Sequence, residues 1–296
     1  MAPLDSAPTP PAPAPGSPLR FAKGHGARND FVILQDPDGA ADITPELVQR
    51  LTERTAGLGA DGLIRVVRTR AAGVDAPADA PEWFMDYRNA DGSIAEMCGN
   101  GVRVFAAELR RTGLVGADRF DIWTRAGVRT VEILSPPEAG DGTWQVRVGM
   151  GPGRLTGEAR TVTVAGRELA ATEVDMGNPH TVAFLPEDAA LEDVDLTRRP
   201  ALAPEPPHGT NVELVVARGE RHVAMRVHER GVGETLACGT GACAVAVAAA
   251  LRAGDESRRP WRVDLPGGTL TIGWTPEGDV TLAGPAQIVA EGTLLV

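Results

Sequence analysis

The chain has 296 residues, 43% of them hydrophobic and 23% charged, which is length enough for two domains with their own cores. Its net charge of -11 and pI of about 5.0 exclude the basic footprint that nucleic acid or an anionic membrane surface requires of a partner. Three cysteines make no disulfide framework, and the odd count favours a reducing compartment, with the cytoplasm as the default.

Residues 1–18, MAPLDSAPTPPAPAPGSP, hold seven prolines and neither the basic nor the apolar region of a signal peptide, so they read as a disordered tail outside the fold. No apolar run approaches the roughly 18 residues of a membrane helix. After the tail, the apolar run 31–34 reads as a strand. Pro45 starts a helix to about residue 56, with Thr44 as its N-cap. Strand patterns follow at 63–68 and 83–88. The turn 89–92 leads to Cys98 and a helix at 102–112 that Gly113 stops. Short strands are predicted at 120–123, 128–134 and 144–148, split by Gly, Pro and Asp turns. The second half repeats these themes. It has a hairpin across Ala165-Gly166, a strand at 181–185, a Pro-rich loop at 204–207 and strands at 212–216 and 223–227. Cys238 and a helix at 242–252 come next, then strands at 261–265, 269–274 and 280–282.

The two halves echo one another. MCGNG ends in Gly101 and ACGTG ends in Gly241, and each puts a cysteine in a glycine-rich turn that opens a helical run. A cysteine at a helix N-terminus is expected to be an activated thiol, because unpaired N–H groups and the helix dipole stabilise the thiolate. Asn29 precedes one strand and lies 69 residues before Cys98, while Asn178 precedes another and lies 60 before Cys238. Two related α/β (α+β) halves are expected. Two such thiols suit a reaction that needs one acid and one base on opposite faces of a single carbon.

Five segments in this order, KGHGARNDFV, NADGS, EMCGNGVRVFA, MGNPH and ERGVGETLACGTGACA, resemble diaminopimelate epimerase, and the likeness covers residues 21–296. It implies two pseudo-symmetric domains, each a mixed sheet wrapped around a central helix, with the site in the cleft between them. The expected division is an N-terminal domain at 19–149, to which a last strand at 284–296 returns, and a C-terminal domain at 150–283. It also implies an epimerase without pyridoxal or other cofactor and without metal, converting LL- to meso-diaminopimelate. Lys23, the single lysine of the chain, sits in the KGHG turn and matches no pyridoxal-binding motif.

By the same resemblance Cys98 and Cys238 are the acid and base, and His180 and Glu229 modulate the thiols. Asn29, Asn89, Asn178, Asn211, Glu229 and Arg230 contact the substrate. Gly99, Asn100, Gly239 and Thr240 present backbone donors to the carboxylate of the reacting carbon, and Arg230 has the fork to clamp the distal carboxylate. Cys243 reads as a small apolar core residue. Two positions depart from the family pattern. Gly62 stands where glutamine is frequent, and Arg28 adds a charge before Asn29. Of the rival readings, a proline-racemase-like enzyme shares the paired cysteines but calls for a histidine at Asn100. A Cys/His metal site is opposed by spacing, since Cys98 and Cys238 lie 140 residues apart. A non-catalytic ligand-binding module gives no reason for two thiols at helix starts. The oligomeric state stays open, a homodimer included.

Overall fold

Short apolar runs broken by Gly, Pro and Asp turns yield eighteen strands and three α-helices among the described residues, which in this computed structural model are 19–138 and 141–295. The expected tail at 1–18 lies outside them. The chain divides into two compact units, one made of residues 19–26, 30–146 and 285–295, the other of 27–29 and 147–284.

The first unit begins with β1 (Arg20–Gly26), β2 (Asn29–Gln35), α1 (Pro45–Thr52), β3 (Gly62–Arg68) and β4 (Trp83–Asn89). It continues through α2 (Gly99–Arg111), β5 (Arg119–Thr124) and β6 (Gly127–Ser135). β2 runs parallel to β3, β3 antiparallel to β4, β4 parallel to β5 and β5 antiparallel to β6. β7 (Thr143–Gly151) leads into the second unit. There β8 (Arg154–Leu155), β9 (Arg160–Val164), β10 (Arg167–Asp175), β11 (Pro179–Phe184) and β12 (Ala201–Ala203) come first. β13 (Asn211–Gly219), β14 (His222–Glu229), β15 (Gly233–Thr235), α3 (Gly239–Ala253), β16 (Trp261–Leu265) and β17 (Gly268–Trp274) follow. β11 is parallel to β13, β13 antiparallel to β14, β14 parallel to β16 and β16 antiparallel to β17. The alternation of the first unit is thus repeated strand for strand, with α2 and α3 at the same place in each series. β18 (Val280–Thr293) pairs its first residues with β17 and its last with β1.

Each unit wraps its strands around one helix. α2 packs on β1, β3, β4 and β6, and α3 on β10, β11, β13, β14, β16 and β17. Burial explains their composition. α3, GTGACAVAVAAALRA, is buried on nearly every side, and its alanines let strands approach closely. Strand periodicity sorts the rest. In β13, Val212, Leu214 and Val216 face an outer apolar cluster with Leu185, Leu191, Leu196 and Leu202, while Asn211 and Glu213 point the other way. In the first unit α1 covers the outer face of β2 and β3 through Val48 and Leu51.

The helices differ from expectation at their ends. α2 and α3 start three residues before the predicted positions, because the glycine-rich segment is itself the first helical turn. α1 ends at Thr52 and not at 56. The Glu53 carboxylate accepts from Thr55 N and Ala56 N, and these local bonds draw the chain out of the helix.

Candidate active site

Both motif cysteines are N-caps. Cys98 has extended backbone angles and its carbonyl accepts from Val102 N at 2.8 Å, while the Cys238 carbonyl accepts from Ala242 N at 3.0 Å. In α3 a first-turn N–H, that of Gly241, reaches the Cys238 sulfur, as anion binding at a helix N-terminus requires. Cys98 is half-buried, and Cys238 and Cys243 are buried. The packing of Cys243 inside α3 matches its reading as a small core residue.

In the first unit, Asn100 is buried and its Oδ1 accepts from Nη2 of Arg103 at 3.0 Å. Arg103 is itself wholly buried and also donates to the carbonyls of Gly99 and Pro285. Asn89 closes the NADGS turn, where its Nδ2 donates to Ser93 Oγ and its Oδ1 accepts from the Tyr87 hydroxyl at 3.1 Å. Tyr87 also explains Gly62. A β-carbon at Gly62 would stand 2.8 Å from the Tyr87 ring and 2.7 Å from the Arg88 carbonyl, so the tyrosine fills the space that a side chain at 62 would take. Lys23 is occupied as well, donating to Asp30 and to the Gly59 carbonyl.

Residues 27–29 pack with the second unit, where a β-carbon on Gly267 would collide with the Ala27 carbonyl at 2.1 Å. Ala27 and Arg28 both have positive φ, at 53° and 64°, an unusual pair for residues other than glycine, and together they turn β1 into β2. Arg28 is exposed. Asn29 opens β2 directly after them.

The second unit brings most of the expected residues together. Cys238 Sγ accepts from Gly241 N at 3.3 Å and lies 3.5 Å from the Thr240 hydroxyl. Asn178 Nδ2 reaches the same hydroxyl at 3.4 Å, and its Oδ1 faces His180 Nε2 at 3.1 Å. Asn211 Nδ2 donates to the Pro179 carbonyl, and its Oδ1 accepts from Arg230 N at 2.9 Å, which ties the MGNPH turn to the ERG segment. Glu229 accepts from the Thr235 hydroxyl, and its carboxylate is close enough to Cys238 to act on the thiol by its charge. The Arg230 side chain is exposed and donates to the His208 carbonyl, and among the described residues no carboxylate pairs with it.

One residue of this cluster is absent from the sequence reading. Glu213 is fully buried, and its Oε1 lies 2.7 Å from His180 Nδ1. Its signal was a carboxylate inside the apolar strand run VELVV, where an unpaired charge is not tolerated.

Charge and burial correct one expectation. The helix N-terminus does not leave Cys238 with a lowered pKa. Burial pushes the thiol well up, and the nearby carboxylates of Glu229 and Glu213 push the same way, against the Thr240 hydroxyl and Gly241 N–H. Burial likewise raises Glu229, which the Thr235 hydroxyl only partly offsets. Among the described residues no group of three or more His, Cys, Asp or Glu side chains is gathered as a metal site, and no helix is long and apolar enough to cross a membrane.

The diaminopimelate epimerase family model matches residues 21–156 and 172–289. The chain belongs to the diaminopimelate epimerase family. Diaminopimelate epimerase of Streptomyces coelicolor is 52% identical over 286 residues, covering 93% of this chain and 94% of that protein. The enzyme of Thermobifida fusca is 49% identical, covering 93% and 97%. Among solved structures, a PhzF-family phenazine biosynthesis protein of Bacillus anthracis superposes with a TM-score of 0.68 at 16% identity, over 94% of this chain and 99% of that one. A probable proline racemase of Agrobacterium radiobacter K84 superposes at 0.64 with 12% identity, covering 94% and 93%. These last two share the two-domain fold. The chain is therefore an isomerase, on a fold shared with these two proteins.

Proposed function

We propose that this epimerase interconverts LL- and meso-2,6-diaminopimelate by a two-base route, with no cofactor, in the cytoplasmic synthesis of lysine and peptidoglycan precursors. The observation that carries this reading is the cysteine at the N-cap of both α2 and α3, in the same glycine-bounded turn of a repeated unit. The α-hydrogen of an amino acid is a very weak acid, so its removal needs a poised base, a matched acid and stabilisation of the resulting charge. The thiolate of one cysteine takes the α-proton, and the electron pair passes into the adjacent carboxylate to give an enediolate-like state. The thiol of the other cysteine delivers its proton to the opposite face. Thiol and thiolate have then changed places, and proton exchange with solvent restores the starting form.

Acid–base catalysis contributes roughly 10²–10⁴-fold. Each N–H donor aimed at the developing oxyanion adds on the order of 3 kcal/mol. Gly99, Asn100, Gly239 and Thr240 are assigned this role. The high pKa direction of Cys238 supports it as the thiol, hence the acid, in the resting enzyme. His180 and Glu229 set its protonation. Asn29, Asn89 and Asn178 meet the amino acid end, Asn211 holds the Arg230 backbone, and the Arg230 guanidinium, with no competing carboxylate, takes the distal carboxylate.

The test is incubation of LL-diaminopimelate with the protein in D₂O, following epimer ratio and deuterium uptake together. Deuterium is expected only in the product epimer at early times. Cys98→Ser and Cys238→Ser should each lose at least 10³-fold in turnover, consistent with loss of an acid–base group. Full turnover with either cysteine replaced would sink the reading.

A further inference from the structure

The repeat permits a position-by-position comparison of the two thiol turns. In the first unit Phe31 lies opposite Gly62 across the β2–β3 ladder, and in the second His180 lies opposite Asn211 across β11–β13. Two residues further along, Ile64 and Glu213 correspond. The glycine three residues after each cysteine confirms the match. A β-carbon at Gly101 would stand 3.2 Å from Ile64 Cδ1 and 3.5 Å from Phe31 Cζ, whereas one at Gly241 would stand 2.8 Å from Glu213 Oε1 and 3.2 Å from Cys238 Sγ. The first repeat fills these positions with an apolar pair. The second fills them with a carboxylate and an imidazole.

Packing alone does not require this exchange, because the apolar pair satisfies the same architecture. Replacing a buried ion pair by hydrophobic residues of similar volume is commonly neutral or stabilising. Nor is Glu213 a fully satisfied structural partner. Its Oε1 meets His180, but Oε2, also buried, has no hydrogen-bond partner among the described residues. From the Gly241 geometry, Oε1 and Cys238 Sγ lie within about 6 Å, the range over which a neighbouring charge shifts ionisation.

The ring of His180 carries the effect further. Asn178 gives its Nδ2 to Thr240 and turns its Oδ1 to Nε2 of His180. Glu213 engages the other nitrogen and so fixes both the orientation of the ring and the direction of the Asn178–Thr240 chain that ends on Sγ. Resting on the two-thiol reading above, we infer that Glu213 is a positioning residue that makes the two repeated cysteines chemically unequal, by anchoring His180 and holding its carboxylate against Cys238. The groups that face this sulfur are Glu213 from β13, His180 from β11 and Glu229 from the end of β14, with the Thr240 hydroxyl and Gly241 N–H from α3 itself. Both carboxylates favour the thiol. Ile64 and Phe31, at the corresponding positions of the first repeat, bring no such charge to Cys98.

The experiment measures each thiol directly, in the full-length protein, by alkylation with iodoacetamide as a function of pH and quantitative peptide mapping. In the wild type, the Cys238 midpoint is expected above that of Cys98. Glu213→Gln should lower the Cys238 midpoint by about one pH unit and leave the Cys98 curve in place. The double variant His180→Phe/Glu213→Ile copies the first repeat at these two positions and removes both buried polar groups together, which makes it the second variant should Glu213→Gln not fold. Its Cys238 curve should move toward that of Cys98. An unmoved Cys238 curve in a folded variant, or a wild-type Cys238 midpoint at or below that of Cys98, overturns the inference. Because alkylation needs no turnover, this result stands apart from the two-thiol reading, which fails on Cys238→Ser turnover.

Discussion

Gly241 marks how closely chemistry and backbone are fitted at the scale of single residues. Alanine is a better helix former than glycine by about 1 kcal/mol, so Gly241→Ala in the first turn of α3 would ordinarily stabilise. Here the added methyl meets Glu213 Oε1 at 2.8 Å and Cys238 Sγ at 3.2 Å, and one of them must move. The expected result is a drop of tenfold or more in kcat without a rise in Tm, read by steady-state kinetics and a melting curve. A variant with higher Tm and unchanged kcat would show that neither atom's position matters. At Arg230 the question is recognition. Lysine keeps the charge but loses the planar fork that meets a carboxylate bidentately, so Arg230→Lys should lose at least tenfold in kcat/KM for diaminopimelate. Near-wild-type efficiency would place Arg230 outside the site. The cysteines and His180 were legible because each sits in a short motif. Glu213 was not, because its role depends on a partner 33 residues away in another strand.

At the scale of elements, the sequence was clearest where burial is one-sided and least clear where backbone packs on backbone. β1 was missed. Its inward positions are Ala22, Gly24 and Gly26, and a β-carbon at Gly24 would strike Val104 of α2 at 2.9 Å and Ile288 of β18 at 2.8 Å. Close approach demands small residues there, and these leave no hydrophobic alternation to read. The start of α1 was legible from its cap. Thr44 Oγ1 accepts from Leu47 N at 3.2 Å, and Thr44→Ala should cost about 1 kcal/mol, seen as a shift in denaturation midpoint. The β16–β17 hairpin offers a pH test. Burial tends to raise Asp264, but the Thr269 hydroxyl, His222 and Arg262 outweigh it and hold the carboxyl at about 2. A group whose folded pKa lies below its unfolded value stabilises above the unfolded pKa and loses that contribution as pH falls through the folded one. Asp264→Asn should therefore lower Tm at neutral pH, with the gap to wild type closing between about pH 4 and pH 2. A gap independent of pH would assign the loss to packing.

At the scale of the whole molecule, the first unit is closed by the far end of the chain. Ile288 and Thr293 of β18 lie opposite Gly24 and Arg20 of β1, and Leu294 is buried with Val32, Leu34 and Leu63. The Pro285 carbonyl accepts from Arg103 Nε at 3.2 Å, and Glu291 pairs with Arg111 at 2.8 Å, so two cations of α2 depend on this segment. A stop after Gly284 would strip β1 of a neighbour and leave the wholly buried Arg103 guanidinium short of an acceptor, a penalty of about 1–3 kcal/mol before any lost packing. Residues 147–284 keep every strand on which α3 packs. Hydrogen exchange should show α2 amides at 99–111 losing protection by orders of magnitude while α3 amides at 239–253 remain protected. Turnover should vanish along with the Cys98 turn. Removal of residues 1–18, which carry none of the five motifs, should by contrast leave kinetics and Tm unchanged. Full protection of α2 in the chain stopped at Gly284 would show that the first unit folds without its last strand, and that the return of the chain to β1 is dispensable.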